Sequence, residues 1–321
     1  MLPKVIVVEP NMNGSAHSEV NAGLLSIISR IYSSYWLGFI ADKRHVTNIE
    51  NKTSLDAYQK KYIKVFDYAP KFFLINEIIL IFRLLKILIL SKKTDVIYLL
   101  GIMPISHIVL SFFNILLKRK VIIVLHGQIE ALLPNTKIGK TKYYYKISQF
   151  VFKIKDHLRY IVFGESVKNN IAYLFRDKDK MITIDQPYIY PEQLPNTKKD
   201  EKQIVLGIIG RADNTKNIQA FYEFIEKIQS EILSQKIKVK VVGKLSGLIP
   251  EKCVGKFSYF TEKIDDEIMM KEIQTLDYAL SFTDNSYYRA IPSGTFFDCI
   301  KWEIPILGLK NDFISHYFRK Y

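Results

Sequence analysis

The sequence predicts an α/β protein made of two domains, each built on a parallel β-sheet. Apolar runs of strand length alternate with segments of helical periodicity along most of the 321 residues, a pattern typical of parallel sheets that are covered on both faces. The alternation stops over 187–203, which contains prolines and a polar run, and then begins again. Because this length exceeds what one hydrophobic core usually holds, we expect a domain over 1–190, a linker over 191–203 and a second domain over 204–321.

In the first domain, a polar loop with a single glycine, Gly14, separates the first strand from the first helix. A dinucleotide-binding fingerprint would need three glycines at fixed spacing, so this loop does not indicate NAD binding. Gly14 would instead let the backbone approach a substrate closely. The predicted strands cover 5–9, 35–40, 62–66, 95–100, 121–126, 160–163 and 181–184, and the predicted helices cover 20–32, 72–90 and 104–117.

The most apolar segment, 72–90, has almost the composition of a membrane span. Asn76, Glu77, Arg83 and Lys86 interrupt it, whereas a spanning helix needs about 20 predominantly apolar residues. We interpret it as an amphipathic helix that packs on the sheet, with contact to a membrane surface as an alternative. The polar side of the following helix carries three residues, His107, Ser111 and Asn114.

The net charge of +14, from 46 Lys and Arg against 32 Asp and Glu, favours anionic partners. A lysine-rich composition arising from an AT-rich genome would explain the same surplus. A nucleic-acid-binding role has only this charge in its favour, because no recognised binding module is present. The two cysteines cannot form a disulfide framework, which favours a reducing, cytoplasmic setting. Asp177 and Asp179 precede a strand rather than follow one, so we predict a solvated turn and no metal site.

Two loops of the second domain have the residue types of a diphosphate site. The strand over 204–209 is followed by Gly210, Arg211 and Lys216, and two cations at a strand's carboxyl end suit a diphosphate. A later polar loop, Asn285 to Thr295, leads into a short helix. The other predicted strands cover 237–242, 278–283 and 304–308, and the predicted helices cover 218–233 and 265–275.

The start of that short helix is Ser293-Gly294-Thr295, followed by Asp298. Backbone N–H groups and the dipole at a helix N-terminus attract anions, above all phosphate. Asp298, one turn further on, would accept hydrogen bonds from a sugar hydroxyl. An ordinary N-cap explains Ser293 equally well, but a phosphate and a ribose side by side would mean a nucleotide.

Taken together, these motifs resemble the GT-B glycosyltransferases, and most closely the retaining family-four group that builds bacterial capsule, O-antigen and exopolysaccharide. His126-Gly127 is similar to the His-Gly/Asp pair that follows a buried strand in that group. Gly210-Arg211 with Lys216-Asn217 is similar to its clamp for the donor diphosphate, and Gly164 to Lys168 loosely resembles its Ser-Glu-x-x-Lys helix start. The resemblance implies two Rossmann-like domains facing across a cleft.

The sequence departs from the group at two places. The usual Glu-x7-Glu would put acids at 290 and 298, where this chain has Ala290 and Asp298; the loop over 288–294 instead resembles the Arg-x-Ser-Gly loop of some members. Relative to the group, the chain ends before a final strand and helix, so the second domain is expected to be incomplete at its end. A catalytically inactive GT-B partner subunit is therefore an alternative function, and a GT-B epimerase is another.

The resemblance implies transfer of a sugar from a nucleotide-diphosphate-sugar to a glycan or lipid-linked glycan acceptor, with retention and without a cofactor or metal. It implies a cytoplasmic protein, with an anionic surface at the inner face of the plasma membrane as a further partner, and no nucleic acid. The catalytic residues implied are His126, Arg211 and Lys216. The implied nucleotide-sugar-binding residues are Gly210, Arg289, Ser293, Gly294, Thr295 and Asp298. The implied acceptor-side residues are Asn13 and Gly14.

Overall fold

The computed structural model contains two compact α/β units, each with its own sheet and core. The first unit comprises Met1–Ile189 together with Arg289–Pro292, and the second comprises Tyr190–Tyr288 and Ser293–Tyr321. The structure describes residues 2–53, 58–65, 73–134, 141–191, 203–286 and 288–320. All of the predicted linker 191–203 except its two end residues lies outside the described part of the chain.

The first unit is built on one seven-stranded sheet. Its strands are β1 (Lys4–Val8), β2 (Trp36–Ala41), β3 (Gln59–Tyr62), β4 (Val96–Leu99), β5 (Lys120–Val124), β6 (Leu158–Phe163) and β7 (Met181–Ile184). They lie in the order β3-β2-β1-β4-β5-β6-β7, and every neighbouring pair is parallel. The α-helices described in this unit are α1 (Ser18–Ile31), α2 (Lys43–Glu50), α3 (Phe73–Leu90), α4 (Pro104–Leu117), α5 (Thr141–Lys146) and α6 (Glu165–Ile171).

Both faces of this sheet are covered, as uniformly apolar strands predict. In β4, Val96 and Tyr98 pack in the core layer that contains α1, whereas Ile97 and Leu99 pack in the layer that contains α3 and α4. Successive side chains of a strand point to opposite faces, so a strand buried on both faces must be apolar at every position. The carboxyl ends of the parallel strands therefore share one edge, where the loops can carry functional groups.

The second unit repeats this architecture on a smaller scale. Its strands are β8 (Ile204–Ile209), β9 (Ile237–Lys244), β10 (Ser258–Phe260), β11 (Tyr278–Ser281) and β12 (Ile306–Gly308). They form a parallel sheet in the order β10-β9-β8-β11-β12. Its described helices are α7 (Ile218–Lys227), α8 (Gln229–Leu233), α9 (Asp266–Gln274), α10 (Gly294–Lys301) and α11 (Asp312–Lys320). The predicted fold class, two parallel-sheet α/β domains, is confirmed.

Several element predictions differ from the structure. The strand predicted over 62–66 is β3, which lies earlier, over Gln59–Tyr62. All four of its residues are exposed, so no apolar run marks this strand in the sequence. The helix predicted over 218–233 is two helices, because Ile228 leaves helical geometry at φ −102° and ψ 20°. Helix α2 was not predicted; Asp42 begins it by accepting a hydrogen bond from the Arg44 backbone N–H at 3.0 Å.

Helix α3 spans Phe73–Leu90 of the predicted 72–90, and the acidic residue within it, Glu77, points into the unit. This residue is fully buried, and its carboxylate accepts hydrogen bonds from the backbone N–H groups of Ile105 (2.8 Å) and Ser106 (2.9 Å). These two residues are in the first turn of α4, whose N–H groups have no partner within the helix. The Tyr144 hydroxyl donates to the same carboxylate. Glu77 therefore caps a neighbouring helix.

None of the helices that the structure describes, α3 included, is long and apolar enough to cross a membrane.

Candidate functional site

In the second unit, three polar groups meet at the carboxyl end of the central strand β8. The Lys216 ammonium donates to the Ile209 carbonyl at 2.7 Å and to the Thr295 hydroxyl at 2.9 Å. The Thr295 hydroxyl donates to the same carbonyl at 3.1 Å. The start of α10 is thus held at the end of β8, and the loop after β8 supplies the cation that lies beside it.

The start of α10 has the geometry that an anion requires. Ser293 is the N-cap residue in an extended conformation, and its hydroxyl accepts a hydrogen bond from the Phe296 N–H at 3.3 Å. A Cβ added to Gly294 would meet nothing within 4 Å, so the space beside this residue is open. The positive end of the helix dipole and the Lys216 ammonium would both attract an anion placed there.

Two opposing effects act on the pKa of Lys216, burial and nearby carboxylates. Burial lowers the pKa of its ammonium group to about 8, and the nearby carboxylates of Asp298 and Asp213 offset part of that effect. The group is therefore mostly charged at neutral pH and becomes neutral a little above it. Asp298, on the first turns of α10, lies close enough to Lys216 to act on its charge.

Arg211 has a different environment from Lys216. Its guanidinium is 64% exposed and forms an ion pair with Asp213 at 2.6 Å. Asp213 also accepts hydrogen bonds from the backbone N–H (2.9 Å) and hydroxyl (2.5 Å) of Thr215, and so it fixes the turn that delivers Lys216. Arg211 can thus change its position more freely than Lys216.

Two glycines let the loop after β8 approach the end of β9. Gly210 has φ 81°, and a Cβ on it would lie 3.2 Å from the Lys216 ammonium nitrogen. Gly243 has φ 143°, and a Cβ on it would lie 2.4 Å from the Gly210 carbonyl oxygen. Gly243 was not among the predicted site residues; its place near the end of the second strand of the unit was the available signal.

In the first unit, His126 lies just beyond β5 and is buried. Its ring packs edge-on against His17 (4.7 Å between centroids) and Phe163 (5.5 Å). Burial, with a smaller effect of His17, lowers the pKa of His126 to about 3, so the ring is neutral. Its Nε2 atom is buried and has no hydrogen-bond partner within the described part of the chain, so its hydrogen-bonding capacity is left unused there.

The loop with Asn13 and Gly14 is anchored by a buried polar network that sequence analysis did not find. The Glu9 carboxylate accepts hydrogen bonds from the Asn11 N–H (2.9 Å), the Met12 N–H (3.1 Å) and the Asn21 side-chain amide (2.9 Å). The Asn21 amide also lies 3.0 Å from His45 Nε2, and His45 Nδ1 lies 2.9 Å from the Gly14 carbonyl oxygen. This network ties the loop to α1 through Asn21 and to α2 through His45.

Arg289 and Ala290 pack in the first unit, although sequence analysis assigned them to the second domain. Ala290 is fully buried in the first core. Glu130 accepts hydrogen bonds from the backbone N–H groups of Arg289 (3.0 Å) and Ala290 (2.5 Å). The Arg289 guanidinium contacts the Pro134 carbonyl, and Asn170 donates to the Arg289 carbonyl at 2.9 Å. Arg289, expected at the nucleotide, thus makes these contacts within the first unit.

Glu130 is buried, and burial raises the pKa of its carboxyl group to about 7. The two backbone N–H groups and the Arg289 guanidinium offset part of this shift. Glu130 was not among the predicted site residues. No feature within its own segment marks it, because its partners are 159 and 160 residues away in the chain.

The sequence matches no protein-family model and no curated protein, but solved structures share the fold. The apo form of the lipopolysaccharide outer core galactosyltransferase WaaB is similar over 95% of this chain and 80% of its own, with a TM-score of 0.58 and 8% identity. A mutant of S. aureus TarM, in complex with fondaparinux, alpha-GlcNAc-glycerol and UDP, is similar over 73% of this chain and 45% of its own (TM-score 0.53, 16% identity).

A third similar structure is the UDP-GlcNAc 2-epimerase from Neisseria meningitidis bound to UDP-GlcNAc. The similarity covers 98% of this chain and 85% of that one, with a TM-score of 0.54 and 10% identity. At these identities the likeness concerns the fold. The chain has the GT-B fold that these proteins share.

Proposed function

We propose that this protein is a glycosyltransferase that moves a sugar from a nucleotide-diphosphate-sugar to a glycan or lipid-linked glycan acceptor. The observation that carries the proposal is the contact of Lys216 with Thr295 at the start of α10. A partly buried cation beside a helix N-terminus suits the diphosphate of a nucleotide sugar. Two of the solved structures with this fold are WaaB, a galactosyltransferase, and TarM, which was solved with UDP.

In this proposal, the chemistry depends on stabilising the leaving diphosphate. Lys216 and the N–H groups at Ser293–Thr295 would bind the phosphates, and Arg211 would leave Asp213 to bind them from solvent. Asp298 would accept hydrogen bonds from the ribose. Preorganised donors of this kind each contribute roughly 2.7–4 kcal/mol to a transition state.

The first unit would contribute to binding of the donor sugar and of the acceptor. His126, whose neutral ring leaves Nε2 unpaired, would accept a hydrogen bond from a hydroxyl of the donor sugar. The loop with Asn13 and Gly14, which is hydrogen-bonded to Glu9 and His45, would shape the acceptor side. Retention at the anomeric carbon and a role in cell-surface polysaccharide synthesis are further parts of the proposal.

We propose that the reaction needs no divalent ion, because Lys216 and the helix dipole supply the positive charge that such an ion would provide. Activity should therefore persist in the presence of EDTA and should not rise when Mg²⁺ or Mn²⁺ is added. A rate that falls to background in EDTA and returns with Mn²⁺ would refute this part of the proposal while leaving the transfer itself in place.

The experiment that tests the function has two stages. UDP-, GDP-, dTDP- and ADP-sugars are first screened for thermal stabilisation, since a ligand that binds the folded state raises apparent stability. The donor found in this way is then incubated with glycan and lipid-linked glycan acceptors, and the products are identified by NMR. Formation of a new glycosidic bond supports the proposal; a donor that binds but is never transferred contradicts it.

The second candidate is an inactive partner subunit that stabilises an active transferase. It is favoured by Ala290, which stands where the family-four pattern has an acid and which is buried in the first core. Binding of a nucleotide sugar without hydrolysis or transfer would support this candidate. Release of an epimerised nucleotide sugar would instead indicate an epimerase.

A further inference from the structure

Helix α4 exposes its apolar side and buries its polar side. Its fully or almost fully buried residues include Ser106, His107, Ser111 and Asn114. Its outward face carries Phe112, Phe113 and Leu116, which are 52%, 43% and 79% exposed. This is the reverse of an amphipathic helix on the surface of a soluble protein, which turns its polar side to water.

The buried polar residues of α4 have partners inside the protein, so the helix is not misplaced. His107 Nε2 lies 2.9 Å from the Tyr160 hydroxyl, and the Ser111 hydroxyl donates to Asp156 at 2.5 Å. Asn114 accepts the Arg119 N–H at 2.8 Å. These bonds, with the Glu77 cap at the other end, fix which side of α4 faces outward.

Helix α3 packs beside α4 on the same face of the sheet and continues the apolar surface. Its inward side consists of Leu80, Leu84 and Leu88 in the first core. Its outward side is also apolar, and the exposed residues are Leu74 (58%), Ile75 (47%), Ile78 (48%), Phe82 (69%), Ile89 (61%) and Leu90 (71%). A contiguous exposed apolar surface of this kind marks an interaction site. We call the outward sides of these two helices the α3–α4 face.

Within residues 73–120, the segment that carries the α3–α4 face, the exposed charges are all of one sign. Residues 73–120 contain two acids, Glu77 and Asp95, and both are buried. The same segment has seven basic residues: Arg83, Lys86, Lys92, Lys93, Lys118, Arg119 and Lys120. Their side chains are partly or fully exposed. An apolar strip whose own segment exposes basic residues and no acidic ones is complementary to a bilayer with anionic headgroups.

We infer that the α3–α4 face binds the surface of an anionic lipid bilayer, with both helices parallel to the membrane plane. Phe82, Phe112 and Leu116 enter the boundary between headgroups and acyl chains, and Lys86 and Lys118 contact the headgroups. This inference stands without the proposed function. If both hold, the bilayer would bring a lipid-linked acceptor to the protein.

Vesicle sedimentation tests the inference with phosphatidylcholine vesicles, with and without phosphatidylglycerol, at low and high salt. The wild type should bind the vesicles that contain phosphatidylglycerol, and high salt should weaken the binding. The variant Phe82→Ser/Phe112→Ser/Leu116→Ser should partition roughly 30-fold less well, because three exposed apolar side chains no longer enter the lipid. The matched control Ile31→Ser/Leu233→Ser/Leu248→Ser removes equally exposed side chains elsewhere and should bind like the wild type.

The charge is tested separately. Lys86→Glu/Lys118→Glu should lower partitioning to phosphatidylglycerol vesicles by roughly 25-fold or more, whereas Lys227→Glu/Lys238→Glu, on exposed positions of the second unit, should have a much smaller effect. A Phe112→Trp variant gives a direct readout of insertion into the lipid. Brominated lipids should quench the fluorescence of the introduced tryptophan.

Three results would overturn the inference. One is failure of the wild type to bind phosphatidylglycerol vesicles at low salt. Another is equal loss of binding in the apolar triple variant and its control. The third is sedimentation-velocity evidence that the α3–α4 face forms a dimer that the triple variant dissociates, since the face would then belong to a second copy of the chain.

Discussion

Lys216 is the residue on which the chemistry of the second unit depends. Its ammonium group links the end of β8 to the start of α10 through two hydrogen bonds, and its charge is weakened by burial. A bound diphosphate would restore that charge, because an anion nearby favours the protonated form. Binding and protonation of Lys216 should therefore be linked.

This linkage predicts a pH dependence of nucleotide binding. The pKa of Lys216 is lowered to about 8 without ligand, so the charged form predominates below that value and is lost above it. If only the charged form binds the diphosphate, affinity should fall by about tenfold per pH unit above pH 8. Calorimetry with a nucleoside diphosphate from pH 7 to pH 9.5 measures this change in affinity. In Lys216→Arg the fall near pH 8 should be absent; a fall of the same size in that variant would contradict the assignment.

Glu130 predicts a pH dependence of stability with a defined sign. Its pKa is raised from 4.5 to about 7 in the folded state, so the folded protein holds a proton that the unfolded chain has released. Its contribution is fully present below pH 4.5 and is lost as pH rises to 7, in total about 3 kcal/mol.

Urea unfolding measured between pH 4.5 and 8 checks this sign. Glu130→Gln cannot ionise, and its amide oxygen can still accept the N–H groups of Arg289 and Ala290. The unfolding free energy of this variant minus that of the wild type should thus increase with pH up to about 7, because only the wild type loses stability. Glu223→Gln, at an exposed position, serves as the control. A difference that is constant across this range would show that Glu130 ionises freely.

At the residue scale, the sequence could predict groups that act near their own segment. Gly210 and Lys216 follow a buried strand directly, and Ser293 precedes a short helix, so local pattern was enough to select them. Glu130 and His45 could not be selected, since their partners come from distant segments. Arg289 was selected from its neighbours in sequence, but its contacts are set by Glu130 and Pro134.

At the element scale, the extent of α4 was predicted correctly, whereas the sequence analysis made no prediction of which side of the helix packs on the sheet. Hydrophobic periodicity shows which residues lie on the polar side of a helix and which lie on the apolar side. It does not show which of the two sides packs on the sheet. In this helix the polar side is satisfied internally by Tyr160, Asp156 and the Glu77 cap. The physical rule that apolar sides turn inward is overridden by these hydrogen bonds.

The Glu77 cap predicts a large stability effect from one carboxylate. Glu77→Ala should leave the buried N–H of Ser106, the N–H of Ile105 and the Tyr144 hydroxyl without this acceptor, at a cost of about 3 kcal/mol in unfolding free energy. Urea unfolding measures the change, and hydrogen exchange should show faster exchange in the first turn of α4. Glu165→Ala provides the control, because this carboxylate in the first turn of α6 is 50% exposed. Equal stabilities for the two variants would show that the cap contributes little.

At the scale of the whole molecule, the two parallel sheets were predictable because uniformly apolar strands leave few alternatives. The break in alternation near residue 190 also marks where the second unit begins along the chain. The assignment of Arg289–Pro292 to the first unit was not predictable. It depends on a buried alanine and a buried carboxylate that the order of elements does not reveal.

The central claim is that the second unit binds a nucleoside diphosphate at the start of α10 through Lys216. Titration calorimetry of UDP, GDP, dTDP and ADP with the wild type, Lys216→Met and the exposed-site control Lys238→Met tests it most directly. The account predicts that at least one of these ligands binds the wild type and Lys238→Met alike, while Lys216→Met binds it roughly 100-fold more weakly. Undiminished binding to Lys216→Met, or no binding of any of the four to the wild type, would contradict it.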